Sequence, residues 1–299
     1  MDIPPELFVG TEAVAAGRFT DRTLASRNSP VYRNVYLVND AEPTPLGRAL
    51  AAWLWSGRTA VVAGRSAAAL HGCKWIQHDE PAELTRSRES YNGIVVHRER
   101  LRDDEVVVIG DILATSPART AFDLGRRTPL RRALAHVDAL ANATGITAAE
   151  VDSVARFHKG ARGIIQLREV IDLMDGGAES LQETHTRLAL VEAGVQRPVT
   201  QIEVLNSRGR VFARIDMGWP EFKVGVEYDG PQHWTDPKRR SRDIDRFADL
   251  AALGWILIRV NAEMLYKRPW VIVERVVAAL RERGCSWLPS AVFLHASGA

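Results

Sequence analysis

Three strand carboxylates, Asp216, Glu227 and Asp229, and a histidine stand close together in the stretch from Arg210 to His233, RVFARIDMGWPEFKVGVEYDGPQH. Two strands are predicted in it, Arg210 to Met217 and Lys223 to Asp229, joined by a short connection that contains Gly218 and Pro220. Residues two apart on a strand share a face. Phe212, Arg214 and Asp216 therefore group together, opposite Val211, Ala213, Ile215 and Met217. On the second strand Lys223, Gly225, Glu227 and Asp229 oppose Val224, Val226 and Tyr228. Carboxylates gathered on neighbouring strands repel one another unless a positive charge sits among them. A divalent ion that favours hard oxygen ligands, Mg²⁺ or Mn²⁺, is one answer. Ion pairing is the other, with Arg214 a ready partner for Asp216, and the spacing alone leaves both open. Gly230 and Pro231 then break the strand. His233, four residues beyond Asp229, could fold back to the acidic end and move protons there.

These residues need a scaffold, and the chain is long enough to supply one. Its 299 residues predict two domains, or one large domain with an appendage. The composition, 46% apolar and 25% charged, is that of a globular protein rather than a disordered one. A net charge of only +2 means that any basic surface must be local. Cys73 and Cys285 stand in no metal or redox spacing, which fits a reducing compartment. The start, MDIPPELFVG, lacks the pattern of a signal peptide, and no apolar run spans a bilayer. A cytoplasmic location is expected.

Residues 1 to about 40 predict a small helical unit closed by a hairpin that turns at Arg33 and Asn34. That outline is winged-helix-like, and Arg18, Arg22, Arg27 and Arg33 could reach DNA phosphates or serve equally as a solvated face. Residues 41 to 175 predict a mixed α/β segment. Helices are expected at Leu46 to Trp55, Ser66 to Leu70, Ser116 to Leu124, Leu130 to Ala141 and Thr147 to Phe157. Strands are expected at Ala82 to Arg86, Gly93 to His97 and Glu105 to Ile109. His71, His97, His136 and His158 have no ligand spacing and are assigned to structure. Asp175-Gly176-Gly177 reads as a boundary. Beyond it come a helix (Ser180 to Ala193), a strand (Val199 to Leu205), the two acidic strands, a helix from Pro237 to about Leu253, an apolar strand (Trp255 to Val260) and a last helix (Pro269 to Arg283). The order is α-β-β-β-α-β-α, and the fold class is α/β (α+β).

That order, with Asp216 on one strand and Glu227 on the next, resembles the PD-(D/E)XK nuclease fold. It resembles more narrowly the actinobacterial relatives of the very-short-patch-repair (Vsr) endonucleases, whose V-E-Y-D-G-x-x-H core is matched by Val226 to His233. An upstream E-S-x-x-E-T helix is matched by Glu179 to Thr184, a D-x-x-R helix by Asp243 to Arg246, and G-W-x-x-x-R-V by Gly254 to Val260. The resemblance covers residues 178 to 284. The first half is similar, more loosely, to the AbiEi-type antitoxin region, through R-S-A-A-A-L-H-G at Arg65 to Gly72 and T-S-P-A-R-T at Thr115 to Thr120.

The nuclease resemblance implies a Mg²⁺- or Mn²⁺-dependent phosphodiesterase acting on nucleic acid, DNA in the first instance. Asp216 and Glu227 would be the metal ligands, and Glu183, Asp229 and His233 would complete the catalytic set. One departure stands out: the fold's pattern has Lys two residues after the second acid, where this chain has Asp229. Lys223 lies ~13 Å along the strand from Glu227 and is a poor replacement. Glu183 is also the third residue after Ser180, the spacing of a capping box in which it would bond back to the Ser180 amide. Lys238, Arg239, Arg240, Arg242 and Arg246, five basic residues in nine, could hold phosphates beside the site together with Arg214. The antitoxin resemblance implies a regulatory N-terminal half and a toxin or other protein partner. It keeps open a non-catalytic DNA-binding regulator that retains the nuclease fold.

Overall fold

A computed structural model describes residues 6–38, 42–86, 91–230 and 237–288, with backbone only at positions 25, 27 and 237–242. The chain is a mixed α/β protein that divides into two compact units, residues 1–176 and 177–299.

The first unit begins with β1 (Leu7–Val9), α1 (Gly10–Ala15), α2 (Asp21–Arg27), β2 (Asn28–Tyr32) and β3 (Val35–Val38), the strands pairing antiparallel in the order β1-β3-β2. Thr20 caps α2 by accepting a hydrogen bond from the Thr23 amide, and Asn34 takes φ +65° to close the hairpin. Next come α3 (Pro45–Trp55), β4 (Val61–Val62), α4 (Gly64–Leu70), β5 (Ala82–Thr85), β6 (Ile94–His97), β7 (Val106–Ile109) and β8 (Ile112–Thr115). These strands form a second sheet in the order β6-β5-β4-β8-β7. Leu50, Trp53, Val62 and Leu84 pack one core with Leu7 and Val35, so the small hairpin shares the core of α3 and the larger sheet. Four helices close the unit: α5 (Pro117–Arg127), α6 (Leu130–Thr144), α7 (Ala148–Phe157) and α8 (Ile164–Leu173). Sequence reading overlooked β1, with Leu7 expected on a helix, and also β4, β8 and α8. Two-residue β4 is too short to show a period, and α8 has only Leu167 and Val170 buried.

The second unit holds α9 (Leu181–Glu192), β9 (Val199–Leu205), β10 (Val211–Trp219), β11 (Val224–Tyr228), α10 (Pro237–Ala252), β12 (Ile256–Val260), α11 (Ala262–Lys267) and α12 (Pro269–Glu282). Its sheet has the order β12-β11-β10-β9, antiparallel except for the parallel pair β11–β12 that the α10 crossover joins. Val226, Val260, Ile272 and Val276 belong to one core with Leu190 of α9, and Ile215, Leu250 and Leu257 to another beside α10.

Two expectations about the acidic strands need correction. β10 runs on through Gly218 to Trp219, because Gly218 pairs directly with Gly225. A Cβ on Gly218 would lie 2.2 Å from the Val224 carbonyl oxygen, an approach open only to glycine. The alternation of β10 also breaks. Ala213 and Ile215 pack with Leu250, whereas Met217 packs with the α12 core. The break falls at Asp216, and Gln201, facing it between the Ile215–Ile202 and Met217–Thr200 pairs, has φ +53°.

Candidate acidic site at the parting of two strands

The break at Asp216 coincides with the place where β10 and β11 separate. Their ladder holds only Met217 to Trp219 against Val224 to Val226. Beyond it, Glu227 and Tyr228 remain paired with Arg259 and Val260 of β12. Asp216 bridges the fork itself: its Oδ2 accepts a 2.8 Å hydrogen bond from the Tyr228 amide. A carboxylate thus takes the place that a backbone carbonyl would occupy in a continued ladder.

Glu183 comes to this fork from the first turn of α9 and is buried. Ser180 is the N-cap: its hydroxyl accepts from the Glu183 amide at 3.1 Å and donates to Glu183 Oε1 at 2.8 Å. Glu183 Oε2 accepts from the Glu179 amide at 2.9 Å and from Gln201 Nε2 at 3.1 Å. The carboxylate therefore reaches back one residue further than the expected Ser180 amide. Capping and membership of the acid cluster are not alternatives here, since one carboxylate does both.

Burial and then the neighbouring Glu183 push the Asp216 carboxyl up to about 7, with Glu227 adding to the rise against the Tyr228 amide and Arg246. Glu183 is itself raised, chiefly by burial. Glu227, 7% exposed, is compensated: both of its oxygens accept from Arg246 of α10, each at 2.8 Å.

The remaining predicted residues are spread more widely. Asp229 is bound by Arg259 on β12. Arg214 pairs with Glu179 at 2.6 Å, not with Asp216. Lys223 adopts φ +51°, and its Nζ donates at 2.9 Å to the Leu253 carbonyl just after α10, so it closes that helix end. His233 lies outside the described residues, as do the side chains of Lys238, Arg239, Arg240 and Arg242. Among the described residues no group of three or more His, Cys, Asp or Glu side chains is placed to hold a metal ion. Sequence reasoning missed Gln201, and it gave Arg246 and Arg259 no pairing role, although the D-x-x-R and G-W-x-x-x-R-V motifs contained both.

In the first unit Arg22 and Arg33 are exposed, while Arg27 is described by its backbone alone. Arg18 stacks its guanidinium 5.2 Å from the Phe8 ring centre and 5.8 Å from that of Phe19. The two motifs of the looser resemblance carry a buried charge network. Arg119, 1% exposed, binds Glu105 at 2.6 Å, Asp123 at 3.0 Å and Glu99 at 2.9 Å. Arg65 holds Glu83 at 2.5 Å, and His97 binds the other Glu83 oxygen at 2.7 Å. Burial alone would raise the Glu83 carboxyl, yet His97 and Arg65 hold it at about 2. His71 bonds the Thr115 carbonyl at 2.8 Å and His158 bonds Glu105, so at least three of the four histidines have such structural partners.

No helix among the described residues is long and apolar enough to cross a membrane. No family model and no solved structure matches the chain. Two proteins of Mycobacterium tuberculosis do: uncharacterized protein Rv2248 of strain H37Rv and uncharacterized protein MT2308 of strain CDC 1551. Each is 30% identical over 258 residues, spanning 84% of this chain and 91% of the relative. The order of elements, the fork and its acids thus sit in a chain that belongs to the same protein family as Rv2248 and MT2308.

Proposed function

We propose that the second unit is a PD-(D/E)XK-type nuclease that hydrolyses nucleic-acid phosphodiesters in the cytoplasm, DNA in the first instance. The observation that carries this reading is the meeting of Asp216 from β10 with Glu227 from β11 and Glu183 from α9 where the strands part. A buried acid cluster opposes folding, so its presence calls for a cationic or functional explanation. The donors suit Mg²⁺ or Mn²⁺ in kind, being carboxylate oxygens. In placement they are not yet set for an ion, and Glu227 has to release Arg246 before its oxygens can face one. Asp216 and Glu227 would hold that ion, which lowers the pKa of a bound water and shields phosphoryl oxygens. Glu183 and Gln201 orient the cluster, Arg246 once released faces the phosphate oxygens, and His233 moves a proton. The first unit, with its winged-helix-like hairpin, engages DNA through Arg22, Arg27 and Arg33 or restrains the nuclease through a protein partner. Incubating the full chain with mixed DNA and RNA substrates in Mg²⁺, Mn²⁺ or EDTA tests this. Metal-dependent cleavage lost in Asp216→Asn is the expected result, and no cleavage under any of these conditions would overturn it.

A second reading has its own support. Arg246 on Glu227 and Arg259 on Asp229 leave two of the acids neutralised within the fold. A DNA-binding regulator that keeps a nuclease fold as a binding surface would look the same. It predicts DNA binding without cleavage and without any effect of Mn²⁺ on stability.

A further inference from the structure

The first unit carries an open groove of about 1110 Å³, formed where the segment 99–104 faces the end of α7 and the loop leading to α8. Its floor is fixed by buried groups. His158 is bound to Glu105, which Arg119 holds in turn. The loop is pinned beneath: Gly163 takes φ +82°, and a Cβ there would lie 2.2 Å from the Arg126 carbonyl oxygen. The rim therefore presents its side chains from a rigid base.

Those side chains are unequal in charge. Among the groove acids, Glu99 is held by Arg119, Arg126 and Arg127, and Asp104 by Arg102. Exposed Arg100, Lys159 and Arg162 have no acidic partner among the described residues, against Asp103 alone on the other side of the balance. Beside them Phe157 is 59% exposed, with the Arg102 guanidinium 3.8 Å from its ring centre. An exposed aromatic ring backed by a cation and flanked by uncommitted cations is the combination with which single-strand binders stack bases and follow a backbone. The volume exceeds that of an ordinary small-molecule pocket, about 300–1,000 Å³, and suits more than one nucleotide.

We propose that this groove binds single-stranded nucleic acid, a base stacking on Phe157 while Arg100, Lys159 and Arg162 face the phosphates. The site shares no residue with the acidic fork or with the hairpin arginines, and it requires no cleavage.

Fluorescence anisotropy of a labelled oligothymidylate with the full chain in EDTA tests the groove, so a failed nuclease reading leaves the result interpretable. The wild type should bind the single strand more tightly than a duplex, with affinity falling as salt rises. Phe157→Ala should weaken binding about tenfold or more. The double substitution Lys159→Glu with Arg162→Glu should weaken it further and flatten the salt dependence, by ~0.7 in slope for each phosphate no longer neutralised. Far-UV circular dichroism should stay unchanged, because all three side chains are exposed; if it does not, Arg100→Ala replaces them as the test. Wild-type affinity in the groove variants, or weakening only in Arg22→Glu with Arg33→Glu, would overturn the proposal. So would equal competition by polyglutamate, which would show that the groove takes acidic polypeptide.

Discussion

Glu227 gives both carboxylate oxygens to Arg246, at 2.8 Å each, across the space between β11 and α10. A metal bound as proposed would compete with this guanidinium for the same two atoms. Replacing Arg246 by Met leaves Glu227 buried without its partner and should cost about 2–3 kcal/mol in urea unfolding, somewhat below the cost for a fully buried pair. It should also strengthen Mn²⁺ binding measured by calorimetry. Unchanged or weaker Mn²⁺ affinity in Arg246→Met would remove Arg246 from competition at this site.

Asp216 titrates at about 7 in the folded chain, far above an exposed carboxyl near ~4. Between those values the folded state keeps a proton that the unfolded chain has released. Stability in EDTA should therefore fall as pH rises across that window, by on the order of 2 kcal/mol. Asp216→Asn should flatten this dependence and be the more stable protein at neutral pH. A wild type equally stable at both ends of the window would mean that Asp216 is not held protonated.

Glu183 raises Asp216 and also bonds the start of α9. Ser180→Ala removes the acceptor for the Glu183 amide and should cost about 1 kcal/mol. Glu183→Gln keeps part of the cap, removes the charge and should lower the pH at which Asp216 titrates. Nuclear magnetic resonance of the carboxyl carbons would read this directly, and no movement of Asp216 would separate the two groups.

Arg119 neutralises Glu105 and Asp123 inside the first unit, all three being 1–2% exposed. Arg119→Met should destabilise that unit by ~3–5 kcal/mol, since two buried carboxylates each lose one of their partners and the only one they share among the described residues. A loss under ~1 kcal/mol in chemical denaturation would mean that His158, Arg126 and Arg127 suffice.

Lys223 should not replace the lysine missing beside Glu227, because its Nζ caps the end of α10 at Leu253. Lys223→Met is expected to leave any cleavage rate near wild type while lowering stability by ~0.5–1 kcal/mol. A rate falling by a factor of ~10² or more would reinstate it as a general acid–base group.

The sequence by itself determined the elements of the second unit to within a residue or two, except the six-residue α11, which it did not lead us to expect. Its strands are short apolar alternations bounded by Gly and Pro, and its helices open on Ser180 and Pro237 and stop before Gly194 and Gly254, all local signals. It also singled out Asp216 and Glu227 by type and spacing, and Glu183 by the motif of the resemblance, as candidates. Tertiary structure decided what those acids touch. The face reversal at Asp216 depends on the fork between β10 and β11 and on the left-handed Gln201 opposite it. A period of two cannot announce either. Arg246 reaches Glu227, and Arg214 reaches Glu179 instead of Asp216, because α10 and the start of α9 lie where the sheet puts them. The same holds in the first unit, where Asp123 four residues after Arg119 is a helical pair visible in sequence, but nothing local announces that Arg65 meets Glu83 or that Arg119 meets Glu105 and Glu99. Charge pairing across a sheet is a property of register and crossover, and neither is written in the residues that pair.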